Sequence, residues 1–304
     1  MIADGASAAR TLVRQTPLVS SAQLGCWLKL ESLQRTGSFK LRGAVIALAR
    51  LFTDGHRKVV AASAGNHGLG IALAGATLGM SVIIFVPTSA AKKKREGIAA
   101  LGAELQLAGA GYDEAEVAAK AYANEHNLPL VSPFDDEGVI LGNGRWLAQE
   151  IVAQRPSLKR IITPVGGGGL VSGLLLELQP RGIEVVGVQP EGARAMSKSL
   201  AEGAPRLTDN DTTVCTGLDG GVALRTFEIA RRHALRIVTV AESSVLPAVA
   251  FAYRSLGLIV EPAAAVVIAA AAEKKVPVDE DTVLLITGRN VDEALLDAAL
   301  SLQR

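Results

Sequence analysis

Short runs of apolar and β-branched residues alternate along the chain with alanine-rich stretches of helical length. The runs are KVVAAS (58–63), SVIIFV (81–86), RIITPV (160–165), EVVGVQ (184–189), RIVTVA (236–241) and TVLLIT (282–287). Because each run is apolar on both faces, it predicts a strand covered on both sides, and the alternation predicts parallel βαβ units. A further stretch, SAAKKKREGIAALGAELQLAG (89–109), predicts a helix followed by another strand. The pattern therefore predicts an α/β fold.

The length of 304 residues predicts two lobes with a cleft between them. We expect residues 1–57 and 137–304 to form a large domain and residues 58–136 to form a small one. The sequence contains no internal repeat and no low-complexity linker, so the chain must cross between the lobes within folded structure.

Charge and cysteine content narrow the class of protein. Lys and Arg total 31 against 30 for Asp and Glu, so no long-range field favours nucleic acid or an anionic membrane. Cys26 and Cys215 lack a CxxC pattern, which argues against a zinc site or a disulfide framework and predicts packing residues in a reducing cytosol. The first 18 residues lack an apolar signal core, and runs such as AAAVVIAAAA (263–272) are too short to span a bilayer. We expect a soluble cytoplasmic enzyme with a small-molecule substrate.

One glycine cluster follows a predicted strand directly. In RIITPVGGGGLVSGLLLEL (160–178), Gly166–Gly169 come just before a helix predicted to begin near Leu170. Four backbones without side chains can turn their N–H groups onto one anion, and the helix N-terminus adds partial positive charge. The spacing matches neither the dinucleotide fingerprint nor the P-loop. A phosphate site is therefore one interpretation, and a flexible glycine turn is the other.

A second cluster, AASAGNHGLGIALAG (61–75), also leads from a strand into a helix. Free amides at a helix start suit a carboxylate, and Asn66 can donate to a ring oxygen. The alternatives are an Asx-type turn that caps the helix and a purely structural His67, since nothing nearby has metal-ligand spacing. Further along the chain, Thr287 ends a strand at the sheet edge where α/β folds bind ligands.

Lys40 lies in the segment TGSFKLRG (36–43). Taken alone, it could be a solvated surface charge. A chemical role requires desolvation and partners elsewhere, namely an anion site and a group that holds a ring. The two glycine clusters are candidates for those partners.

Five segments together resemble the fold type II pyridoxal-phosphate enzymes, specifically the threonine/serine dehydratase and serine racemase group. They are TGSFKLRGA, SAGNHG, SPFDDEGVILGNG (132–144), PVGGGGL and GLIVEPAAA (257–265), and the resemblance covers nearly the whole chain. It implies a fold like the tryptophan synthase β subunit, with two parallel-sheet lobes and pyridoxal 5'-phosphate (PLP) in the cleft. It also implies a homodimer, or a dimer of dimers.

The resemblance assigns roles to individual residues. Lys40 would form the Schiff base with the cofactor, Phe39 would lie beside the ring, and Asn66 would contact the ring hydroxyl. The other cofactor-binding residues would be Gly166, Gly167, Gly168, Gly169, Leu170, Gly220, Glu261 and Thr287. The substrate-binding residues would be Ser63, Ala64, Gly65, Asn66, His67 and Phe134.

The implied activity is a PLP-dependent dehydratase, or ammonia-lyase. It would convert a 3-hydroxy amino acid such as L-threonine or L-serine into a 2-oxo acid and ammonia by α,β-elimination. A neutral Thr287 facing the pyridine nitrogen would favour prompt elimination over a long-lived carbanion. The alternatives are an amino-acid racemase, a β-replacement enzyme on the same scaffold, or a catalytically inactive ligand-binding member.

Some positions depart from the family pattern. Ala64 stands where racemases carry a second serine, which disfavours racemisation. Gln189 and Ala195 stand where metal-binding members carry acidic ligands, so we expect no divalent cation there. Three further departures leave the identity of the substrate open. They are Leu69, the segment GNGRW (142–146) and a shortened segment 216–235. We also expect no C-terminal regulatory domain and no feedback control by isoleucine.

Overall fold

The computed structural model describes residues 11–206 and 212–302, which divide into two compact units. Unit 1 comprises residues 11–14, Gln34–Thr36 and Lys40–Asn143. Unit 2 comprises Gln15–Leu33, Gly37–Phe39 and the described residues from Gly144 onwards. Residues 1–10, which form part of the N-terminal segment expected to lack a signal, lie outside the described residues.

Unit 1 contains a parallel sheet of three strands in the order β3-β4-β5. The strands are β3 (Lys58–Ala62), β4 (Ser81–Val86) and β5 (Glu104–Leu107). β3 and β4 are buried along most of their length, as expected for β-branched runs that are covered on both faces. The helices of unit 1 are α1 (Lys40–Thr53), α2 (Asn66–Leu78), α3 (Lys92–Ala99), α4 (Tyr112–Glu125) and α5 (Glu137–Ile140).

Helices α1 and α2 pack closely against each other because α2 carries a glycine at the contact. A Cβ atom added at Gly70 would lie 3.2 Å from the carbonyl oxygen of Lys40 and 3.3 Å from the Cβ of Ala44. The first turn of α1, which begins at Lys40, is therefore held against the glycine-rich helix that begins at Asn66.

Unit 2 contains a sheet of six strands in the order β1-β2-β9-β6-β7-β8. β1 pairs antiparallel with β2, and the other neighbouring strands are parallel. The strands are β1 (Leu18–Ser21), β2 (Cys26–Leu30), β6 (Arg160–Pro164), β7 (Glu184–Pro190), β8 (Arg236–Val240) and β9 (Thr282–Ile286). The helices of unit 2 are α6 (Leu147–Gln154), α7 (Gly169–Leu178), α8 (Ala195–Glu202), α9 (Leu224–Arg232), α10 (Val245–Leu256), α11 (Pro262–Ala272) and α12 (Glu293–Ser301). A π-helical segment, Leu141–Trp146, precedes α6, and short 3-10 turns occupy Glu31–Leu33, Gln179–Arg181 and Glu242–Ser244.

The most apolar run of the sequence forms α11. This helix is buried from Pro262 to Ala270 and packs against α10 and the sheet of unit 2. Its alanines present little side-chain volume, so the helix can lie close to the strands. Among the described residues, no helix combines the length and the apolar character that crossing a membrane requires.

The predicted strands are confirmed, and so is the helix-then-strand prediction for residues 89–109, which form α3 and β5. The β1–β2 hairpin was not predicted, because LVSS and CWLKL are short and partly polar. The compact units differ from the predicted boundaries because residues 11–14, 34–36, 40–57 and 137–143 group with unit 1. For residues 40–57 the reason is that α1 packs on α2. As a statement about domains, the boundaries near 57 and 137 stay a prediction.

Both cysteines are free and buried. Burial, and next to it the negative charge of Asp279, raises the pKa of the Cys26 thiol to about 12. Burial, and next to it the charge of Glu242, raises the pKa of Cys215 to about 12 as well. The prediction that the two cysteines are packing residues is confirmed.

Candidate active site

Lys40 is the first residue of α1 and is half-buried. Its Nζ donates a hydrogen bond to the carbonyl oxygen of Pro133 at 3.1 Å. Pro133 belongs to the loop before α5, which also carries the half-buried Phe134. Lys40 is therefore not a fully solvated surface lysine, and the desolvation that a chemical role requires is partly present.

His67 lies in the first turn of α2 and is 3% exposed. Its Nε2 is 3.1 Å from the carbonyl oxygen of Val131. Because a carbonyl only accepts, Nε2 carries the hydrogen and donates it, which leaves Nδ1 as an acceptor. Nδ1 is buried and has no hydrogen-bond partner among the described residues. Burial, and next to it the charge of Lys40, lowers the pKa of His67 to about 3, so the imidazole is neutral near pH 7.

The loop before α2 exposes backbone at a helix N-terminus. Gly65 precedes the helix, and its N–H donates to Ser63 Oγ at 3.1 Å. A Cβ atom at Gly65 would meet nothing within 4 Å, whereas one at Gly68 would lie 2.9 Å from the carbonyl oxygen of Ser63. Ser63 thus forms a side-chain turn before the helix, whereas no side chain among the described residues caps the helix itself, so the Asx-type cap is not present. The same loop leaves the positive end of α2 accessible to an anion such as a carboxylate.

Asn143 supports the helix that carries Lys40. The backbone N–H of Gly43, in the first turn of α1, donates to Asn143 Oδ1 at 2.8 Å. Asn143 is 1% exposed, and a Cβ atom at Gly43 would lie 2.7 Å from its Oδ1. The GNGRW segment departs from the family pattern, but the sequence alone does not predict this contact.

The glycine loop in unit 2 satisfies the main requirement of a phosphate site. Gly168 has φ +95° and caps the N-terminus of the ten-residue helix α7. A Cβ atom there would lie 2.6 Å from Met196 Cε and 2.8 Å from Thr226 Cβ. Only backbone fits at this position, so the loop presents N–H groups and the positive end of a helix rather than side chains. This donor set fits the phosphate of PLP.

Two further observations show what surrounds the glycine loop at Gly166 and Gly167. Thr226 Oγ1 donates to the carbonyl oxygen of Gly167 at 2.7 Å. A Cβ atom at Gly166 would lie 3.1 Å from the Cα of Leu218. Leu170 belongs to a hydrophobic core cluster with Leu174 and is 7% exposed.

The remaining candidate residues of unit 2 form a second group. The backbone N–H of Phe39 donates to the carbonyl oxygen of Thr287 at 3.0 Å, and Thr287 is 3% exposed. The N–H of Glu261 donates to the carbonyl oxygen of Gly288 at 3.1 Å, and a side chain at Gly288 would overlap the Glu261 carboxylate. Gly220 has φ +103° with open space around it. Phe39 also packs against a core cluster of unit 2, so its place beside the ring stays a prediction.

The candidate residues are distributed over both compact units, and their individual roles stay predictions. Unit 1 contains Lys40, Ser63, Ala64, Gly65, Asn66, His67 and Phe134. Unit 2 contains Phe39, Gly166, Gly167, Gly168, Gly169, Leu170, Gly220, Glu261 and Thr287. No group of three or more His, Cys, Asp or Glu residues that could hold a metal ion occurs in the described ranges. Independence from a divalent cation stays a prediction too.

Comparisons with known proteins cover almost the entire chain. The family described as "Pyridoxal-phosphate dependent enzyme" matches residues 9–288. The L-threonine ammonia-lyase of Thermotoga maritima is 33% identical over 306 residues, which cover 96% of this chain and 75% of that protein.

Solved structures of similar fold also cover almost the entire chain. Processed threonine deaminase isoform 2 from Solanum lycopersicum has a TM-score of 0.89 at 32% identity, covering 98% of this chain and 91% of that one. Maize serine racemase has a TM-score of 0.88 at 27% identity, covering 98% and 95%. The chain therefore belongs to the pyridoxal-phosphate-dependent enzymes of fold type II, in the family of threonine dehydratases and serine racemases.

Proposed function

We propose that this protein is a dehydratase that converts a 3-hydroxy amino acid, L-threonine or L-serine, into a 2-oxo acid and ammonia. The observation that carries the proposal is the 33% identity to an L-threonine ammonia-lyase across 96% of the chain. PLP, when bound, supplies an electron sink that makes the Cα proton of an amino acid acidic. Residues of this chain would hold the cofactor, position the substrate and transfer the proton.

Lys40 would have two tasks. Its Nζ would hold the cofactor covalently, and as a free amine it would take the proton from Cα of the substrate. The hydrogen bond from Nζ to Pro133 O at 3.1 Å supports this assignment, because it restrains a flexible side chain. The contact of Asn143 with the first turn of α1 restrains the backbone from which the lysine extends.

The substrate carboxylate would bind at the N-terminus of α2. The segment from Ser63 to His67 lies at the start of a 13-residue helix, where the helix dipole favours an anion. Because His67 is neutral near pH 7, this attraction would come from the helix N-terminus rather than from an imidazolium. The glycine loop of unit 2 would hold the cofactor phosphate, with Asn66 and Thr287 as partners of its ring.

Elimination is favoured over racemisation because Ala64 stands at the position where racemases carry a second serine. Racemisation needs a donor on the face opposite the lysine. Ala64 has no titratable group, and the Nε2 hydrogen of His67 is already donated to Val131 O. With a pKa of about 3, the buried His67 carries no additional proton near neutral pH.

Racemisation is nevertheless the second candidate, because the likeness to maize serine racemase covers 98% of this chain. β-Replacement and a catalytically inactive ligand-binding member are the remaining alternatives. We also propose that the protein acts as a homodimer or a dimer of dimers, which sedimentation analysis would test.

The experiment that decides among these functions is a panel of amino acids incubated with the PLP-loaded protein. We expect 2-oxo acid and ammonia from L-threonine or L-serine, with little D-serine or D-allo-threonine on chiral chromatography. Substantial D-product would favour the racemase. A product formed only when a second nucleophile is supplied would favour β-replacement. Cofactor absorbance without turnover of any compound would favour the inactive member.

A further inference from the structure

Gln189 is a fully buried residue near the end of β7. Its Nε2 donates to the carbonyl oxygen of Val165 at 3.0 Å, and its Oε1 accepts from the backbone N–H of Ser197 at 3.0 Å. Val165 immediately precedes the glycine loop, and Ser197 lies in the first turn of α8. One carboxamide therefore connects the residue that enters the loop to a neighbouring helix.

The direction of the Val165 carbonyl determines the direction of the next N–H group. A trans peptide is planar, so the carbonyl oxygen of Val165 and the N–H of Gly166 point to opposite sides. The N–H of Val165 is itself donated to the carbonyl oxygen of Val188 at 3.0 Å. With both polar groups of Val165 bound, the N–H of Gly166 is aimed away from Gln189.

The helix held by Gln189 also limits the loop. Met196, next to Ser197, is the residue that a Cβ atom at Gly168 would contact at 2.6 Å. A shift of α8 would therefore change the space available to the loop at Gly168. Gln189 thus acts on the loop both through its backbone at Val165 and through the helix that packs against it.

We propose that Gln189 is a positioning residue for the cofactor phosphate, because it fixes the Val165–Gly166 peptide and the start of α8. This inference rests on the proposed role of the glycine loop as the phosphate site. It does not require Gln189 to touch the cofactor. The proposal assigns a positioning role to Gln189, at the position where metal-binding relatives carry an acidic ligand.

Two substitutions separate the hydrogen bonds from the packing. Gln189→Leu keeps a side chain of similar size and removes both bonds. Gln189→Glu keeps the shape and the acceptor for Ser197 but loses the donor to Val165 O, so two oxygens face each other. The matched control is Gln179→Leu. Gln179 is exposed and lies just after the C-terminal end of α7, away from the glycine loop. Its Nε2 donates to the carbonyl oxygen of His233 at 2.6 Å.

The probes are PLP and pyridoxal, which differ by the phosphate alone. Each would be titrated into the cofactor-free full chain, and the dissociation constant would be read from cofactor absorbance. For both Gln189 variants we expect the constant for PLP to rise about tenfold, equal to about 1.4 kcal/mol, and the constant for pyridoxal to stay within about twofold of wild type. Gln179→Leu should change neither. The ³¹P resonance of bound PLP should shift in the Gln189 variants only.

The ratio of the two constants separates positioning from a general structural role. Equal weakening of PLP and pyridoxal would overturn the proposal, and so would a folded Gln189→Leu protein with the PLP affinity of wild type. If Gln189→Leu fails to fold, Gln189→Glu decides by the same ratio. Gly168→Ala tests the underlying phosphate site, since the added Cβ fills the loop. Unchanged PLP affinity in that variant would overturn the phosphate assignment and, with it, the role of Gln189.

Discussion

Replacing Asn143 by alanine tests how the helix that carries Lys40 is held. The substitution removes Asn143 Oδ1, which lies 2.8 Å from the backbone nitrogen of Gly43 and accepts its hydrogen bond. The sequence of α1 itself is unchanged. Asn143 is 1% exposed, so water does not readily replace the lost acceptor. Asn124→Ala is the matched control, because Asn124 is an exposed asparagine in the same compact unit.

The size of the effect follows from burial. A buried neutral hydrogen bond contributes about 0.5 to 1.5 kcal/mol net, and an unsatisfied buried donor costs about 1 to 3 kcal/mol. We therefore expect the free energy of local opening of α1 to fall by about 1 to 3 kcal/mol. Protected amides of α1 should exchange roughly tenfold faster for each 1.4 kcal/mol lost. Turnover should fall as well, because Lys40 lies in the first turn of this helix.

Hydrogen–deuterium exchange followed by mass spectrometry measures this opening directly. Peptides covering Lys40–Thr53 report on α1, and peptides covering Thr282–Ile286 serve as an internal reference in unit 2. We expect faster exchange in α1 for Asn143→Ala and no change in either peptide for Asn124→Ala. If α1 exchanges at the same rate in Asn143→Ala and in wild type, the hydrogen bond does not stabilise the first turn and our account of Asn143 is wrong.

Further predictions concern the chemistry. Lys40→Ala should abolish both turnover and cofactor trapping by borohydride, and peptide mapping of a pyridoxyl adduct to another lysine would contradict the assignment. Ala64→Ser should raise the D-product fraction on chiral chromatography, because it adds a hydroxyl to the substrate loop. EDTA should leave activity intact, and a loss that magnesium or calcium restores would show that a cation is required. Because the pKa of His67 is about 3 in the folded state against 6.5 for the free side chain, the unfolded state binds the proton first. Stability should therefore fall as pH drops from 6.5 towards 3, by up to about 1.4 kcal/mol per pH unit. Urea unfolding should show that the free energy of unfolding of His67→Gln changes less with pH than that of wild type between pH 6.5 and 3.

The sequence predicted the parts of the fold that depend on local pattern. The β-branched run SVIIFV forms β4 over Ser81–Val86, as predicted, because a buried parallel strand needs apolar residues on both faces. The glycines before α7 were recognised because a strand, a glycine run and a helix follow one another directly. The β1–β2 hairpin was missed because its strands are short and only partly apolar, so they lack a clear period.

Contacts between distant residues could not be predicted from local pattern. Asn143 reaches Gly43 across 100 positions, and Thr226 reaches the glycine loop across 59. From the sequence, Gln189 indicated only that an acidic metal ligand is missing at this position. The structure shows a buried amide that hydrogen-bonds to two backbone groups. Such pairings depend on how the elements pack, and a single sequence does not record which polar residue meets which backbone group.

The two buried thiols have a practical consequence for labelling experiments on this protein. A thiol with a pKa of about 12 contains almost no thiolate near neutral pH, and thiolate is the form that alkylating reagents attack. Cys26 and Cys215 should therefore remain unlabelled while the protein is folded. A single cysteine introduced at an exposed position, such as Val117 on α4, would then carry a fluorophore or spin label without prior removal of the native cysteines.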